Sequence, residues 1–376
     1  MNPLPGAAAA LSWRIVSTPA AWAEAGADWQ ALARRGAAVG LFQSYEWLDA
    51  WWRAAGTGAS TPARLALRVA VLSDAGGPRA ILPLVLDRTG RLPVLRFMAD
   101  DVSDYCDLIA APGLDAIDWP GLRALMARSG ARLAMLGQVR PDGAAARLLG
   151  PRLRPDRRPP ARAPYVDLAG RSWAEVEQAI PSSWRKDMRR LGKRLAERAA
   201  WRYVECDAPA SRAAAIDFVL RHKAGQLADD PSTLARHESV FAPLARAAFA
   251  RATIGQARTH VSVIESEGRP IAGHLGFVDA QRFYYYVPTY DPEYQAFSPG
   301  NLLMFELLRR CCETGVPVFD LLRGDYAYKW RLTDKAVELA SYAEPLGLMG
   351  RIFLAIRSAY RFRNREQSNR AASEPG

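Results

Sequence analysis

Two stretches in the second half of the chain bring reactive residue types together at close spacing. In the first, Tyr284 to Leu303 (YYYVPTYDPEYQAFSPGNLL), an extended aromatic run ends in a Pro/Asp/Gly-rich loop that opens a helix at Pro299. A helix N-terminus offers backbone N–H groups without partners and a partial positive charge, so phosphate or pyrophosphate binds there readily. Ser298, Gly300 and Asn301 are sterically suited to such an anion. The same residues also read as ordinary capping, with Ser298 at the N-cap and Pro299 at the first helical position, and both readings stay open. In the second stretch, Val318 to Arg331 (VFDLLRGDYAYKWR), a buried strand terminates at Arg323–Gly324 and then presents Asp325, Tyr328, Lys329 and Arg331. A carboxylate, a phenol and an ammonium at the C-terminal end of a strand lie where open sheets expose ligand sites. The plainer alternative is a surface ion pair between Asp325 and Lys329, worth a few tenths of a kcal/mol.

A third stretch, SSWRKDMRRLGKRLAERAAWR, predicts a strongly basic helix over Ser183–Ala199. Arg185, Arg189 and Lys193 form one stripe and Lys186, Arg190 and Arg194 the next, with only Asp187 and Glu197 to offset them. Such a run is either a solvated face or a surface for a polyanion such as a polyphosphate or RNA. His274, in AGHLGF, is a candidate proton acceptor, or else a hydrogen-bonded core histidine. No GxSxG, P-loop, HExxH or strand-linked GxGxxG element is present, which argues against serine hydrolases, NTPases, zincins and Rossmann dehydrogenases.

The elements that must position these groups fall into two similar series. Leu41–Ala54 predicts a helix with Ser44 as N-cap and Trp47 and Trp51 on one face; three apolar segments, Leu65–Leu72, Ala80–Leu86 and Leu92–Met98, follow as a meander. A helix at Trp119–Ser129 and a strand at Leu133–Leu136 close the series. The pattern returns in His260–Glu265, Ile271–Asp279 and Arg282–Thr289, then a helix to Glu313 and a strand at Val316–Leu321. An internal duplication is expected. Between the two series, Gly150–Pro164 (GPRLRPDRRPPARAP) is rich in Pro and Arg. We therefore expect domains at 1–150 and 165–345, a linker at 151–164, and a basic amphipathic helix with a disordered tail at 346–376.

With 376 residues, 49% of them hydrophobic and 24% charged, the chain suits two globular domains. Its net charge of +11 favours anionic partners. Cys106, Cys206, Cys311 and Cys312 show no metal-ligand or disulfide spacing, so no metal and reduced thiols are expected. The N-terminus lacks a basic segment before its alanines and no apolar run is long enough to span a bilayer, so the expectation is a cytoplasmic protein. Leu346–Arg365 alternates apolar residues with arginines in the manner of a helix lying on the inner face of an anionic membrane, or of a terminal helix packing on its own domain.

Taken together, GRPIAGHLGF, RFYYYVPTYDPEYQAFSPGNLLMFELLRRCCETGV and FDLLRGDYAYKWRL resemble the acetyltransferase domain of CelD-type proteins from cellulose and exopolysaccharide loci, a branch of the GNAT superfamily related to FemAB-like transferases. The resemblance covers 165–345, and LFQSYEWLDAWW resembles the family's N-terminal segment. This sequence departs from the family's usual Gln/Arg-xxGxG/A signature, since QAFSPGN supplies only one Gly. The resemblance implies α/β (α+β) architecture, as two tandem GNAT-like domains with twisted, mixed, mainly antiparallel sheets flanked by helices. It also implies transfer from acyl-CoA, with acetyl-CoA as the expected donor, to an amine or hydroxyl of a sugar, polysaccharide or cell-envelope precursor. Ser298, Pro299, Gly300 and Asn301 would face the donor pyrophosphate. Asp325 would act as base or orient the acceptor, Tyr328 would protonate the leaving thiolate or bind the acceptor, and His274 would be a further catalytic candidate. Tyr286, Tyr290, Lys329 and Arg331 would bind substrate, with Arg185 and Lys186 as weaker anion contacts. An aminoacyl-tRNA-dependent transferase and a non-catalytic scaffold for polysaccharide assembly are the alternatives.

Overall fold

The computed structural model describes residues 11–56, 64–156 and 159–359; the N-terminal alanine run, residues 157–158 of the expected linker and the arginine-rich tail lie outside the described residues. In chain order the first elements are Ser12–Val16 (β1), Pro19–Arg34 (α1), Tyr45–Ala55 (α2), Leu65–Leu67 (β2), Val69–Asp74 (β3), Gly77–Leu82 (β4), Leu84–Asp87 (β5), Val94–Phe97 (β6), Ile109–Ala110 (β7), Trp119–Arg128 (α3), Leu133–Val139 (β8) and Ala144–Leu148 (α4). There follow Ala161–Asp167 (β9), Trp173–Ala179 (α5), Ser182–Arg198 (α6), Trp201–Glu205 (β10), Pro209–Gln226 (α7), Pro231–Arg236 (α8), Ala242–Phe249 (α9), Thr253–Ile254 (β11), Ala257–Ser266 (β12), Arg269–Val278 (β13), Phe283–Tyr290 (β14), Pro299–Glu313 (α10), Val318–Asp320 (β15) and Ala336–Pro345 (β16). A last helix, α11, covers 348–359.

The chain forms two compact units, and they are interleaved. One comprises Met1–Val39, Gly58–Pro160 and Leu339–Gly376; the other comprises Gly40–Thr57 and Ala161–Glu338. The passage at Pro160 falls within the expected linker region, but α2 lies in the second unit and everything after Glu338 in the first. The reason is physical: α2 has a wholly buried face of Trp47, Leu48 and Trp51, and helical periodicity dictates that such a face be covered without saying by which sheet.

In the first unit β1, β3, β4 and β7 form an antiparallel sheet, while β2, β5 and β6 form a second run in which β6 pairs in parallel with β8 and β8 antiparallel with β16. The expected three-stranded meander over 65–98 is thus five strands. The breaks fall at Arg68 and at Pro83, which lacks an N–H for the ladder and instead accepts the Met98 N–H at 2.9 Å. Leu72, Leu82, Phe97 and Leu122 sit in this unit's core.

The second unit repeats the order. β10 pairs with β12, then β12, β13 and β14 run antiparallel, and after α10 the chain returns as β15, parallel to β14 and antiparallel to β9. A short strand, a helix, a meander, a helix and a parallel strand therefore occur twice, in two α+β units whose sheets are mixed, mainly antiparallel and flanked by helices. One correction concerns Ala161–Pro164, expected as linker, which belong to β9. Pro164 is accommodated because the paired positions are Tyr165, Val166 and Asp167, while Pro164 supplies only its carbonyl, to the Leu321 N–H at 3.0 Å.

Candidate functional site

Parallel strands that stop pairing early leave a wedge, and the second unit has one. β14 and β15 are in register only at Phe283 with Phe319 and Tyr284 with Asp320. β14 continues to Tyr290, whereas the chain after Asp320 turns away through two left-handed residues, Leu322 (φ 61°) and Gly324 (φ 122°). Asp320, almost wholly buried, fixes the divergence: it accepts the Leu322 N–H and an Arg282 N–H, each at 2.9 Å. The wedge holds a cleft of about 480 Å³ with Tyr285, Tyr286 and Tyr290 on one wall and Leu321, Tyr328 and Lys329 on the other.

The β14 wall carries a bulge. Leu275 and Phe277 of β13 face Val287 and Tyr284, so Tyr285 and Tyr286 stand together opposite Gly276. His274 stabilises this bulge from below. Its Nε2 accepts the Tyr286 N–H at 3.2 Å, and its ring stacks on Tyr285 with centroids 4.7 Å apart and an 8° interplanar angle. The proton therefore sits on Nδ1, which is buried without a partner among the described residues. Burial holds the His274 ring well below the ordinary histidine value, and the residue is 0% exposed. His274 does not line the cleft, and its contacts are with the β14 bulge. Burial also pushes the Tyr285 phenol well above its ordinary range, keeping it an O–H donor. On the far side of Tyr286, Phe42 and Trp47 of the N-terminal segment pack at 5.9 and 5.8 Å.

At the cleft's other end stands the N-terminus of α10. Ser298 adopts the left-handed conformation (φ 47°, ψ 51°) and its side chain makes no capping bond, so the ordinary-capping reading does not hold. The 3₁₀ turn Pro292–Phe297 ends on this residue, and the left-handed step turns the chain into the helix. The Asn301 and Leu302 N–H groups lean on the Ser298 carbonyl, and Pro299 has no N–H. Ser298, Gly300 and Asn301 line the cleft, whereas the Pro299 side chain is buried beneath them. Gly300 lies flat against Tyr290: an added Cβ would come within 3.3 Å of its ring. The first unit's equivalent helix, α3, is different, because the Asp118 carboxylate accepts the Gly121 N–H at 3.0 Å and closes that N-terminus with a negative charge.

The remaining expected residues separate. Tyr328 lines the cleft. Lys329 lines it too, but is 3% exposed, and its Nζ donates to the Leu322 and Arg323 carbonyls at 3.0 and 2.9 Å, clamping the left-handed turn. Asp325 is exposed, accepts the Trp330 indole N–H and does not line the cleft; Arg331 is exposed and also outside it. Arg185 and Lys186 lie on α6, away from the lining, and Arg185 is engaged with the Ile180 carbonyl at 3.1 Å. The lining residues that the sequence did not mark include Tyr285, Gln295, Arg323 and Tyr326 and, from the end of α7, Lys223 and Gln226. Burial lowers Lys223 from the ordinary lysine value, and its Nζ donates to Gln226 Oε1 at 3.5 Å. Nothing in the sequence of α7 marks one lysine as facing a cleft, so no sequence signal pointed to it.

The sequence profile of the "Acetyltransferase (GNAT) domain" family matches residues 182–330, the stretch that contains α6, the meander, α10 and both cleft walls. A search of the curated proteins returns no match. Among solved structures, a conserved protein of unknown function from Bacteroides thetaiotaomicron is similar at 12% identity and a TM-score of 0.53, covering 85% of this chain and 97% of that one. A tandem GNAT protein from the clavulanic acid biosynthesis pathway is similar at 14% identity and a TM-score of 0.47, over 90% of this chain and 99% of that one. FemX is similar at 10% identity and a TM-score of 0.47, covering 78% and 90%. Among the described residues there is no cluster of His, Cys, Asp or Glu that could hold a metal ion. The wedge between parallel strands, the bulged strand beside it and the helix N-terminus at its mouth, together with the profile match over 182–330, give the second unit the fold of a GNAT acetyltransferase domain.

Proposed function

We propose that the second unit transfers an acyl group from an acyl-CoA thioester, acetyl-CoA being the expected donor, to an amine or hydroxyl of a sugar, polysaccharide or cell-envelope precursor of the kind handled in exopolysaccharide loci. The observation that carries the reading is the cleft, which opens where β14 and β15 part and ends on a helix N-terminus with no side-chain cap. The Gly300 N–H, the first-turn amide of α10 not bonded to the Ser298 carbonyl, would point to the donor pyrophosphate together with the positive end of the helix, and the missing side chain of Gly300 would allow close approach. The acyl-bearing arm would lie between Tyr285 and Tyr286 on one wall and Tyr328 on the other. Direct transfer needs orientation of the acceptor, removal of its proton and protonation of the departing sulfur. Tyr328 would give the last proton. Lys223 and Gln226 stand at the α7 side of the cleft, so the anionic or sugar-type acceptor would enter there. The role first given to Lys329 and Arg331 passes to Lys223, since Lys329 is spent on carbonyls.

The test is release of CoA thiol from acetyl-CoA with amino-sugar, sugar-phosphate and lipid-linked acceptors, in wild type and Tyr328→Phe. Acceptor-dependent release that falls in the variant supports the reading. Turnover requiring aminoacyl-tRNA, or none with any donor, overturns it.

A peripheral contact with the inner face of an anionic membrane belongs to the same reading. Among the described residues, five of the six exposed large apolar side chains, Leu348, Met349, Ile352, Phe353 and Ile356, lie on α11, and arginines follow it in the sequence. No helix among the described residues is long and apolar enough to cross a membrane, so this contact would be interfacial.

A further inference from the structure

We infer that the C-terminal half of α6 forms a second anion subsite, built by Arg194 and Arg198, which takes a phosphate group on the nucleotide end of the acyl donor outside the cleft. The inference rests on the donor reading above.

Several charges on α6 are already engaged. Arg189 pairs with Glu177 at 2.7 Å, Arg190 with Asp187 at 3.1 Å and Lys193 with Glu197 at 4.0 Å. Arg194 and Arg198 have no carboxylate partner among the described residues. They lie over aromatic faces instead: Arg194 at 5.7 Å from the Phe297 ring, Arg198 at 4.9 Å from Tyr294 and 5.7 Å from Phe297. Those rings belong to the 3₁₀ turn Pro292–Phe297, whose next residue is the left-handed Ser298 at the mouth of the cleft.

A guanidinium stacked on a ring keeps its full charge and all of its in-plane N–H donors, while losing much of the motion that binding would otherwise have to freeze. Two of them, one helical turn apart, match a doubly charged phosphomonoester, whose oxygens can accept from both guanidinium forks. CoA carries such a group on its ribose, and dephospho-CoA lacks that group alone.

Calorimetric titration of CoA and dephospho-CoA into the full chain tests the idea, with wild type beside Arg194→Ala/Arg198→Ala. A second double variant, Arg189→Ala/Arg190→Ala, removes the same charge from the same helix. We expect wild type and the 189/190 variant to bind CoA about tenfold more tightly than dephospho-CoA, and the 194/198 variant to bind both alike. Melting curves check that all three proteins fold, and Arg198→Lys, which keeps charge without the planar fork, is expected to recover part of the preference. Equal binding of the two nucleotides by wild type, or a preference lost equally in both double variants, overturns the subsite while leaving the donor reading intact. Binding of neither nucleotide overturns the donor reading itself, and the subsite with it.

Discussion

At the residue scale the cleft assigns chemistry by what each side chain is already bonded to. Asp325 has its carboxylate turned to Trp330 and does not line the cleft, so Asp325→Asn is expected to leave the initial rate within about twofold of wild type, because a proton acceptor must lie within hydrogen-bond reach of the reacting group. Tyr328 faces the cleft; Tyr328→Phe is expected to lower kcat by about a hundredfold with little change in the KM for acyl donor, which would identify a proton supplied during reaction. Lys223→Met is expected to act in the opposite way, raising the acceptor KM while kcat holds, if the acceptor is anionic. Buried histidines add a pH signature. Burial pushes His260 down to about 4, with Glu205 opposing and Arg258, Arg212 and Arg310 adding to the effect. The unfolded chain then binds more protons than the folded one. Stability is complete above the ordinary histidine value of about 6.5 and falls as pH drops toward about 4, by about 3 kcal/mol at the lower end. Urea titrations from pH 7.5 to 4.5 measure this, and a flat profile would contradict it.

At the element scale the second unit depends on a segment distant in sequence. Trp47 of α2 is wholly buried, packing on Phe277 at 5.7 Å and on Tyr286 at 5.8 Å, so α2 backs the cleft wall. Trp47→Ala is expected to cost ~3–5 kcal/mol, measurable as a shift in the denaturant midpoint. The sequence showed the helix, its Ser44 cap and its apolar face, and the resemblance grouped it with the acyltransferase motifs. It could not show where the helix docks, because amphipathicity is local and docking is not. The same limit hid the strand at Ala161–Pro164, whose proline is tolerated only because its neighbour needs a carbonyl and not an N–H. Ser298 misled for a different reason: Ser-Pro before a helix is good capping chemistry, and the left-handed step that cancels it is imposed by the turn before it. For α11, co-sedimentation with anionic and neutral vesicles, comparing the full chain with one ending at Pro345, decides between solvent and membrane. Loss of anionic-vesicle binding on truncation supports interfacial contact, whereas no pelleting of either protein at low salt contradicts it.

At the scale of the whole molecule, two units of similar topology differ in the feature that matters for an acyl donor. The first closes its central helix N-terminus with the Asp118 carboxylate; the second leaves that N-terminus open at a cleft, with a basic helix beside it. A net charge of +11 favours the encounter with an anionic donor but does not choose between the units; the capping chemistry does. The second unit alone should therefore bind donor, once per chain. Isothermal titration of acetyl-CoA into the full chain and into Gly300→Val measures this directly, since the added side chain crowds Tyr290 at the helix mouth. The account predicts one saturable site per chain, weakened about tenfold or more in a variant that still folds. Two equivalent sites, no binding, or an affinity untouched by Gly300→Val would contradict it.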